Sequence, residues 1–440
     1  MQIERIEIMK LFGMFDHDIK LKTLDRITVI HGPNGVGKTT ILKLLKDIFD
    51  ANFFALDPVP FSKIIITFAN KLKLNLIKKR KKSIDISLKK GRQIVAEVNI
   101  HLSTPKDFPH GDFPISIIEE VVPRLHRIGS RSWRDSTTGE RLTLNDVIFK
   151  FGDELPFDFG KTVHIPEKIK RVLFELKTYF IQTQRLLLFT KDEEFHVPRR
   201  GIRTQNTVEQ YSLEMAEMLQ EKLRQSGSVA ASLDRTFPHR LLDSDSPKEA
   251  TQENIREKYQ SQSKYRGRLM KAGLIDEEEQ VSLPESEISA NDLKVLWFYL
   301  SDIDEKLKVF DPLLNKVELF NDIINSRFLY KSFALNKSDG FVFTLDSEKK
   351  VPLNCLSSGE QHELVLTYEL LFKVPEKSFI MIDEPELSLH VTWQHKFLND
   401  IERISNLADL DFLIATHSPS IIHDRRSLMV PLPKGVNSNA

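Results

Sequence analysis

Gly32-Pro33-Asn34-Gly35-Val36-Gly37-Lys38-Thr39-Thr40 fits the phosphate-binding pattern G-x-x-x-x-G-K-[ST] at every required position. The β-branched run Ile27-Thr28-Val29-Ile30 before it reads as a buried strand, and Ile41-Leu42-Lys43-Leu44-Leu45 after it reads as a helix. In a loop so placed, glycines let backbone N–H groups converge on nucleotide phosphates at the positive end of the following helix. Lys38 then reaches the β- and γ-phosphates, and the Thr39 hydroxyl coordinates Mg²⁺. The residues expected to hold nucleotide are Gly32, Pro33, Asn34, Gly35, Gly37, Lys38, Thr39 and Thr40, with ATP and Mg²⁺ as the cofactors. A glycine-rich turn that fits by chance is the alternative, and the C-terminal motifs below argue against it.

Upstream of this loop, residues 3–8 alternate apolar and polar, and 18–21 alternate again after the turn Phe12-Gly13-Met14-Phe15, which reads as an antiparallel hairpin. Phe12 and Phe15 are candidates for stacking on adenine, or equally plain core aromatics. Downstream, strand-like runs at 64–68, 72–77, 84–88 and 94–98, with polar breaks between them, predict an antiparallel meander. Lys78-Lys79-Arg80-Lys81-Lys82 falls at an expected turn, as a basic hairpin tip or a solvated one. Residues 105–160 read as loops with short strands. A helix begins near Pro166, followed by the strand Tyr179-Phe180-Ile181 and Gln182-Thr183-Gln184-Arg185-Leu186.

The composition bounds the chemistry. The 440 residues could make two or three domains, and 40% hydrophobic with 29% charged is ordinary for a soluble protein. Lysine plus arginine equals aspartate plus glutamate at 63 each, so no global field draws the chain to nucleic acid or an anionic membrane. One cysteine, Cys355, forms no intrachain disulfide, and the opening Met1-Gln2-Ile3-Glu4-Arg5 reads as a strand rather than a signal sequence; both point to the cytoplasm. No apolar run approaches the roughly 20 residues that cross a bilayer.

Between about 199 and 336 the chain becomes charged and helical in period, with runs at 212–223 and 249–271. Leu293, Leu296, Leu300, Ile303, Leu307, Phe310, Leu314 and Val317 step by three and four, a heptad seam that Asp311-Pro312 breaks as an N-cap followed by proline. The seam is a dimer contact or an internal packing surface against the 212–223 helix. Pro198-Arg199-Arg200-Gly201-Ile202-Arg203 is a candidate for phosphate contact.

Leu356-Ser357-Ser358-Gly359-Glu360-Gln361, opening a further helix, resembles the signature of ABC-type ATPases, with Ser358 where a glycine is usual. The apolar run Phe379-Ile380-Met381-Ile382 ending in Asp383-Glu384 resembles a Walker B strand, with Leu387-Ser388-Leu389-His390 at the D-loop position. His417 follows the last predicted core strand, 411–416, where the family has its switch histidine. These motifs, together with the separation of Lys38 from Asp383, resemble the RecF/SMC/OLD-like (AAA15/AAA21-like) branch of ABC-type ATPases. The resemblance implies an α/β P-loop ATPase head split by a helical, short coiled-coil-like insert. Head segments at 1–200 and 337–440 would flank an insert at 201–336 that serves oligomerisation or partner binding.

By the same resemblance Asp383, Thr39 and the Q-loop glutamine hold Mg²⁺, and Glu384 polarises the attacking water as general base. His417 meets the γ-phosphate. The Q-loop residue is Gln184 or Gln182, with Gln184 preferred because it precedes Arg185-Leu186. Ser357, Ser358, Gly359 and Glu360 would face the γ-phosphate held by another subunit, which implies a head-to-head dimer or higher oligomer.

Ser232-Leu233-Asp234-Arg235-Thr236-Phe237-Pro238-His239-Arg240-Leu241-Leu242 with 356–371 looks similar to ATPases of bacterial anti-phage systems of the PARIS and Septu types. That implies a slow ATPase acting as sensor or scaffold, with a phage protein as trigger and a nuclease effector in trans, since too little chain follows His417 for a nuclease domain. The alternatives are a RecF/SMC-like DNA-maintenance ATPase that clamps DNA on head closure, and a nucleotide-gated scaffold that barely turns over. A transporter ATPase fits least, because the insert has no role there.

Overall fold

The computed structural model describes residues 1–79, 83–101, 118–119, 122–129, 132–136, 141–143, 147, 151, 165–181, 187–190, 203–243, 245, 247–276, 283–284 and 286–432. By internal contacts the chain divides into two compact units. The first holds Met1–Gln184, Phe189–Arg203 and Val374–Ala440; the second holds Arg185–Leu188 and Thr204–Lys373.

In the first unit, β-branched and aliphatic runs build two sheets of different character. Strands Phe15–Lys20, Ile3–Leu11, Lys63–Phe68, Leu72–Lys79, Ser83–Lys90 and Gln93–His101 lie in that order in an antiparallel sheet. Ile64, Ile66 and Phe68 are buried while their neighbours are half-buried, as expected where one face is covered. The predicted hairpin and meander are thus both present. The strand Leu72–Lys79 runs further than predicted, because Lys78 points inward: its Nζ donates to the carbonyls of Leu56, Asp57 and Val59 at 3.0, 2.6 and 2.9 Å.

The second sheet is parallel, in the order Thr178–Ile181, Phe379–Asp383, Asp411–Thr416, Ile27–His31, Met429–Pro431. Its central strands are apolar without alternation, because both faces are covered. The registers Asp383↔Ala415 and Thr416↔His31 bring the carboxyl ends of three strands to one edge. That edge is where an open parallel sheet binds its ligands.

Helix Lys38–Phe49 buries Ile41, Leu42, Leu45 and Ile48 in the same core cluster as Ile6, Ile8, Ile64 and Ile66 of one sheet and Met381, Leu413 and Ala415 of the other. Its apolar stripe therefore fixes the phosphate loop relative to both sheets. Helix Glu167–Glu175 adds Ile169, Val172 and Leu173. A small antiparallel sheet, Leu125–Gly129, Ser132–Asp135 and Arg141–Thr143, surrounds the buried Trp133.

The second unit combines helices Thr207–Asp243, Gln252–Lys271, Ala290–Lys308 and Asp311–Arg327 with the antiparallel strands Lys331–Asn336, Gly340–Leu345 and Lys350–Val351. The seam residues Leu293, Leu296, Leu300, Ile303 and Leu307 pack with Ile255 and Tyr259 of helix Gln252–Lys271, so the seam has an internal partner. Arg240 of the long helix forks onto Asp302 with two bonds of 2.7 Å, and Gln262 Nε2 donates to the Leu300 carbonyl at 2.6 Å. The helices break after Lys308 as the proline requires, although the cap is Phe310 and Asp311 opens the next helix.

Helix Thr207–Asp243 also grips the strands. Ser212 Oγ accepts from Phe341 N at 2.7 Å and donates to Asp339 O at 2.9 Å. Gly340 between them has φ +70°, and a Cβ there would lie 1.9 Å from Ser212 O, so only glycine fits.

Candidate nucleotide site

The phosphate loop bridges strand Ile27–His31 and helix Lys38–Phe49. Gly37 is the N-cap with φ 95°, and no side chain caps the first turn, so its N–H groups face whatever sits in the loop. Pro33, Asn34 and Gly35 are exposed, whereas Gly32 and Val36 are buried. Val36 O accepts from Nε2 of the buried His17, at 2.9 Å. Burial lowers the His17 pKa, which keeps the ring neutral and its Nε2 proton on the loop carbonyl. His17 stacks on Phe15, so the hairpin braces the loop from below. Phe12, 38% exposed, lies beside the loop, its ring 3.1 Å from the position of a Cβ on Gly37. Of the two aromatics considered for adenine, Phe12 is the accessible one.

Lys38 is only 5% exposed, and its Nζ donates to Gly32 O at 2.9 Å and Pro33 O at 3.3 Å. Both ring nitrogens of His417 face the ammonium, Nδ1 at 3.2 Å. Burial lowers the Lys38 pKa, opposed by the charges of Glu384, Asp383 and Glu386. The His417 pKa is lowered by burial first and the Lys38 charge second, so the ring is neutral near pH 7 and accepts from Lys38. Its 3.6 Å contact with Glu384 Oε1 is then not an ion pair.

Thr39 Oγ1 donates to Asp383 Oδ1 at 3.1 Å, bringing together a hydroxyl and a carboxylate 344 residues apart. Burial raises the Asp383 pKa, and the Thr39 hydrogen bond and Lys43 oppose it. Glu384, one residue on, takes the left-handed conformation at φ 44°, ψ 57°, with its N–H on Ala415 O at 2.8 Å. A non-glycine residue held so is strained, a feature that clusters at functional sites.

Two hard oxygen donors side by side suit Mg²⁺, which takes one or two carboxylates and completes its shell with phosphate and water. No group of three or more His, Cys, Asp or Glu side chains suited to a metal occurs among the described residues.

The structure therefore brings Lys38, Thr39, Asp383, Glu384 and His417 together at the carboxyl edge of the parallel sheet. Gln184 and Gln182 lie outside the described residues. Three further residues shape this edge without having been expected: His17, Glu386 and Gln394. Glu386 is visible in the sequence only as a third acid in Asp383-Glu384-Pro385-Glu386. The other two carry no sequence signal, since each acts through tertiary contacts.

In the second unit, Ser357 is the N-cap of helix Ser358–Tyr368. It forms a capping box with Glu360: Ser357 N and Oγ donate to Glu360 Oε2 at 2.8 and 2.9 Å, and Glu360 N donates back to Ser357 Oγ at 3.4 Å. Lys331 Nζ donates to the other Glu360 oxygen at 2.6 Å. Burial raises the Glu360 carboxyl, but the Lys331 and Ser357 donors outweigh it and hold the pKa below the usual value. The Ser357 hydroxyl is thus already engaged, and Ser358 and Gly359 occupy the first turn beside it.

Neither basic stretch offers a described free cation cluster. Lys78 binds carbonyls, Lys79 pairs with Asp85 at 3.1 Å, and residues 80–82 and 198–202 lie outside the described residues. No helix among the described residues is long and apolar enough to cross a membrane.

No curated protein matches the chain. Among solved structures it is similar to an Smc head domain with an extended coiled coil bound to the C-terminal domain of ScpA from Pyrococcus furiosus, at 13% identity and TM-score 0.32, over 98% of this chain and 93% of that one. It is similar also to the SMC head domain from Thermotoga maritima, at 11% identity and TM-score 0.31, over 96% and 91%. An Smc head domain with a coiled coil and joint from Pyrococcus yayanosii matches at 12% identity and TM-score 0.32, over 98% and 95%. The AAA ATPase domain family (AAA_15) matches residues 1–422, and the chain belongs to that family.

Proposed function

We propose that the protein binds and slowly hydrolyses ATP with Mg²⁺, and that nucleotide controls pairing of its heads. The observation carrying this reading is the convergence of Lys38, the Thr39–Asp383 pair, Glu384 and His417 at one sheet edge. The loop N–H groups and Lys38 bind the β- and γ-phosphates. Thr39 and Asp383, with Gln184 as the Q-loop residue, would hold a magnesium ion, which would supply charge neutralisation for the transferring phosphoryl group. Glu384 accepts the proton of the attacking water, and the neutral His417 ring orients against the γ-phosphate. Ser357, Ser358, Gly359 and Glu360 of a second copy complete the site, so that ATP favours the closed pair and hydrolysis undoes it.

We further propose that the protein is the sensor or scaffold subunit of an anti-phage complex. It answers a phage protein and controls a nuclease supplied in trans, in the cytoplasm. The helical unit supports a protein partner, with Leu242 at 80% and Tyr299 at 51% exposure on its surface, while Lys78 is held by backbone carbonyls and Lys79 pairs with Asp85.

The test is to express the protein with its neighbouring gene and measure assembly by light scattering in ATP and Mg²⁺, for wild type and Glu384→Gln. A nucleotide-dependent pair that retains a nuclease-like neighbour, accumulating in Glu384→Gln, is expected. A homodimer that ignores the neighbour and retains DNA would replace the defence role with a RecF/SMC-like maintenance role.

A further inference from the structure

Two loops meet beside Lys38, and two side chains tie them together. Glu386, in the turn Pro385–Ser388, reaches the loop that follows strand Asp411–Thr416. There its Oε1 accepts from both the His417 N–H, at 2.7 Å, and the Ser418 N–H, at 3.1 Å. Gln394, buried on helix Val391–Ala408, donates Nε2 to the carbonyls of Glu386 and Leu389 at 3.3 and 3.2 Å, and accepts from Ser418 Oγ at 2.8 Å. The same Ser418 hydroxyl accepts from Ser420 N at 3.2 Å. The turn that begins at Glu384 and the loop that begins at His417 are therefore one cross-linked unit.

We infer that Glu386, backed by Gln394, is a positioning residue that sets the His417 ring against Lys38 and Glu384. One side-chain oxygen thus holds two consecutive backbone N–H groups of the His417 loop at once. Its other oxygen, Oε2, is buried and has no hydrogen-bond partner among the described residues. Glu386 also lies close enough to Lys38, Asp383 and His417 for its charge to act on each of them. The hydrogen bonds of its carboxylate among the described residues go to the His417 loop rather than to the phosphate loop.

The kinetic consequence rests on the ATP-hydrolysing reading, but the clamp is measurable without nucleotide. Hydrogen–deuterium exchange on the nucleotide-free protein would follow the amides of His417 and Ser418 in wild type, Glu386→Ala and Glu386→Gln. In Glu386→Ala these amides should exchange about tenfold or more faster, as one charge-assisted bond each is lost. Strand Asp411–Thr416 should keep its protection, which controls for unfolding. Glu386→Gln retains an acceptor oxygen and should keep most of the protection.

In ATPase assays Glu386→Ala should lose kcat by roughly 100-fold, the cost of about 1 Å of misplacement, with KM for ATP within about threefold of wild type. Glu386→Gln should recover most of that kcat, and Gln394→Ala should give a smaller loss of the same kind. Unchanged exchange at residues 417 and 418 in Glu386→Ala would overturn the inference, as would a Glu386→Gln enzyme as slow as the alanine variant. If the exchange result holds but wild type does not hydrolyse ATP, the clamp stands and the hydrolysis reading falls.

Discussion

Gly37→Ala tests the phosphate loop with one methyl group. Gly37 has φ 95°, and a Cβ added there would lie 2.6 Å from Leu11 Cδ2 and 3.1 Å from Phe12 Cε2. The left-handed conformation costs an L-residue about 1–2 kcal/mol. Leu11 is fully buried, so moving its methyl group overpacks the core at about 1–3 kcal/mol. The sum, about 2–5 kcal/mol, is less than the roughly 5–15 kcal/mol stability of an ordinary fold, so the variant folds with Tm lowered by roughly 4–10 °C. The cheapest relief is rotation of the loop, which turns its N–H groups away from the phosphates. At about 1.5–3 kcal/mol for each charge-assisted bond, loss of one or two lowers ATP affinity by about 10- to 10⁴-fold. Calorimetric titration with ATP and Mg²⁺, beside thermal denaturation without nucleotide, measures both effects. The double variant Leu11→Ala with Gly37→Ala should be less impaired than the sum of the singles by about 1–3 kcal/mol, because the clash is shared. Wild-type affinity and Tm in Gly37→Ala would refute the reasoning, and strict additivity would refute the contact with Leu11.

Other expectations follow from the same geometry. Lys38→Ala removes the buried ammonium that faces Gly32 O and His417, and should abolish ATP binding in the same titration. Ser357→Arg breaks the capping box, at about 0.5–2 kcal/mol of helix stability, and adds bulk at an exposed position. Nucleotide binding by the monomer should survive while head pairing and ATPase activity fall, and Ser357→Ala controls for the lost cap. The His417 pKa lies below its usual 6.5, so its contribution to the acid limb of the pH–kcat/KM profile, which reports the free enzyme, should fall below pH 6.5 and be lost in His417→Gln. For stability the sign is that of a depressed base. Between the folded pKa and 6.5 the unfolded chain binds more protons, so stability is lost as pH falls from 6.5 through the folded value, and a denaturant series across that window reads it.

How much was legible in the sequence depends on the range of the forces involved. The strand, loop and helix around Gly32–Thr40 are readable because their determinants are local: β-branched residues, glycines that relieve positive φ, and an aliphatic stripe at helical spacing. The antiparallel meander is readable from alternation, and the helix break from Pro312. By contrast, Lys78 looks like part of a surface turn until the carbonyls of Leu56, Asp57 and Val59 show where its charge is spent. The grouping of strand Gly340–Leu345 and helix Ser358–Tyr368 with the helical unit was hidden too, since it rests on contacts such as Ser212 with Phe341, 129 residues apart. So did the bracing of the loop by His17 and the clasp of Glu386 and Gln394 on the His417 loop.

By itself, then, the sequence determined the local strands, helices and phosphate loop, because backbone propensity and burial pattern act over a few residues, and its motifs, through their resemblance to ABC-type ATPases, implied the α/β head split by a helical insert. Only the tertiary structure decided which side chains meet at the sheet edge and which hold them there. Lys38 and His417 stand 379 residues apart, and Glu386 reaches His417 across 31. Hydrogen bonds of that span exist only once parallel strands have aligned their carboxyl ends.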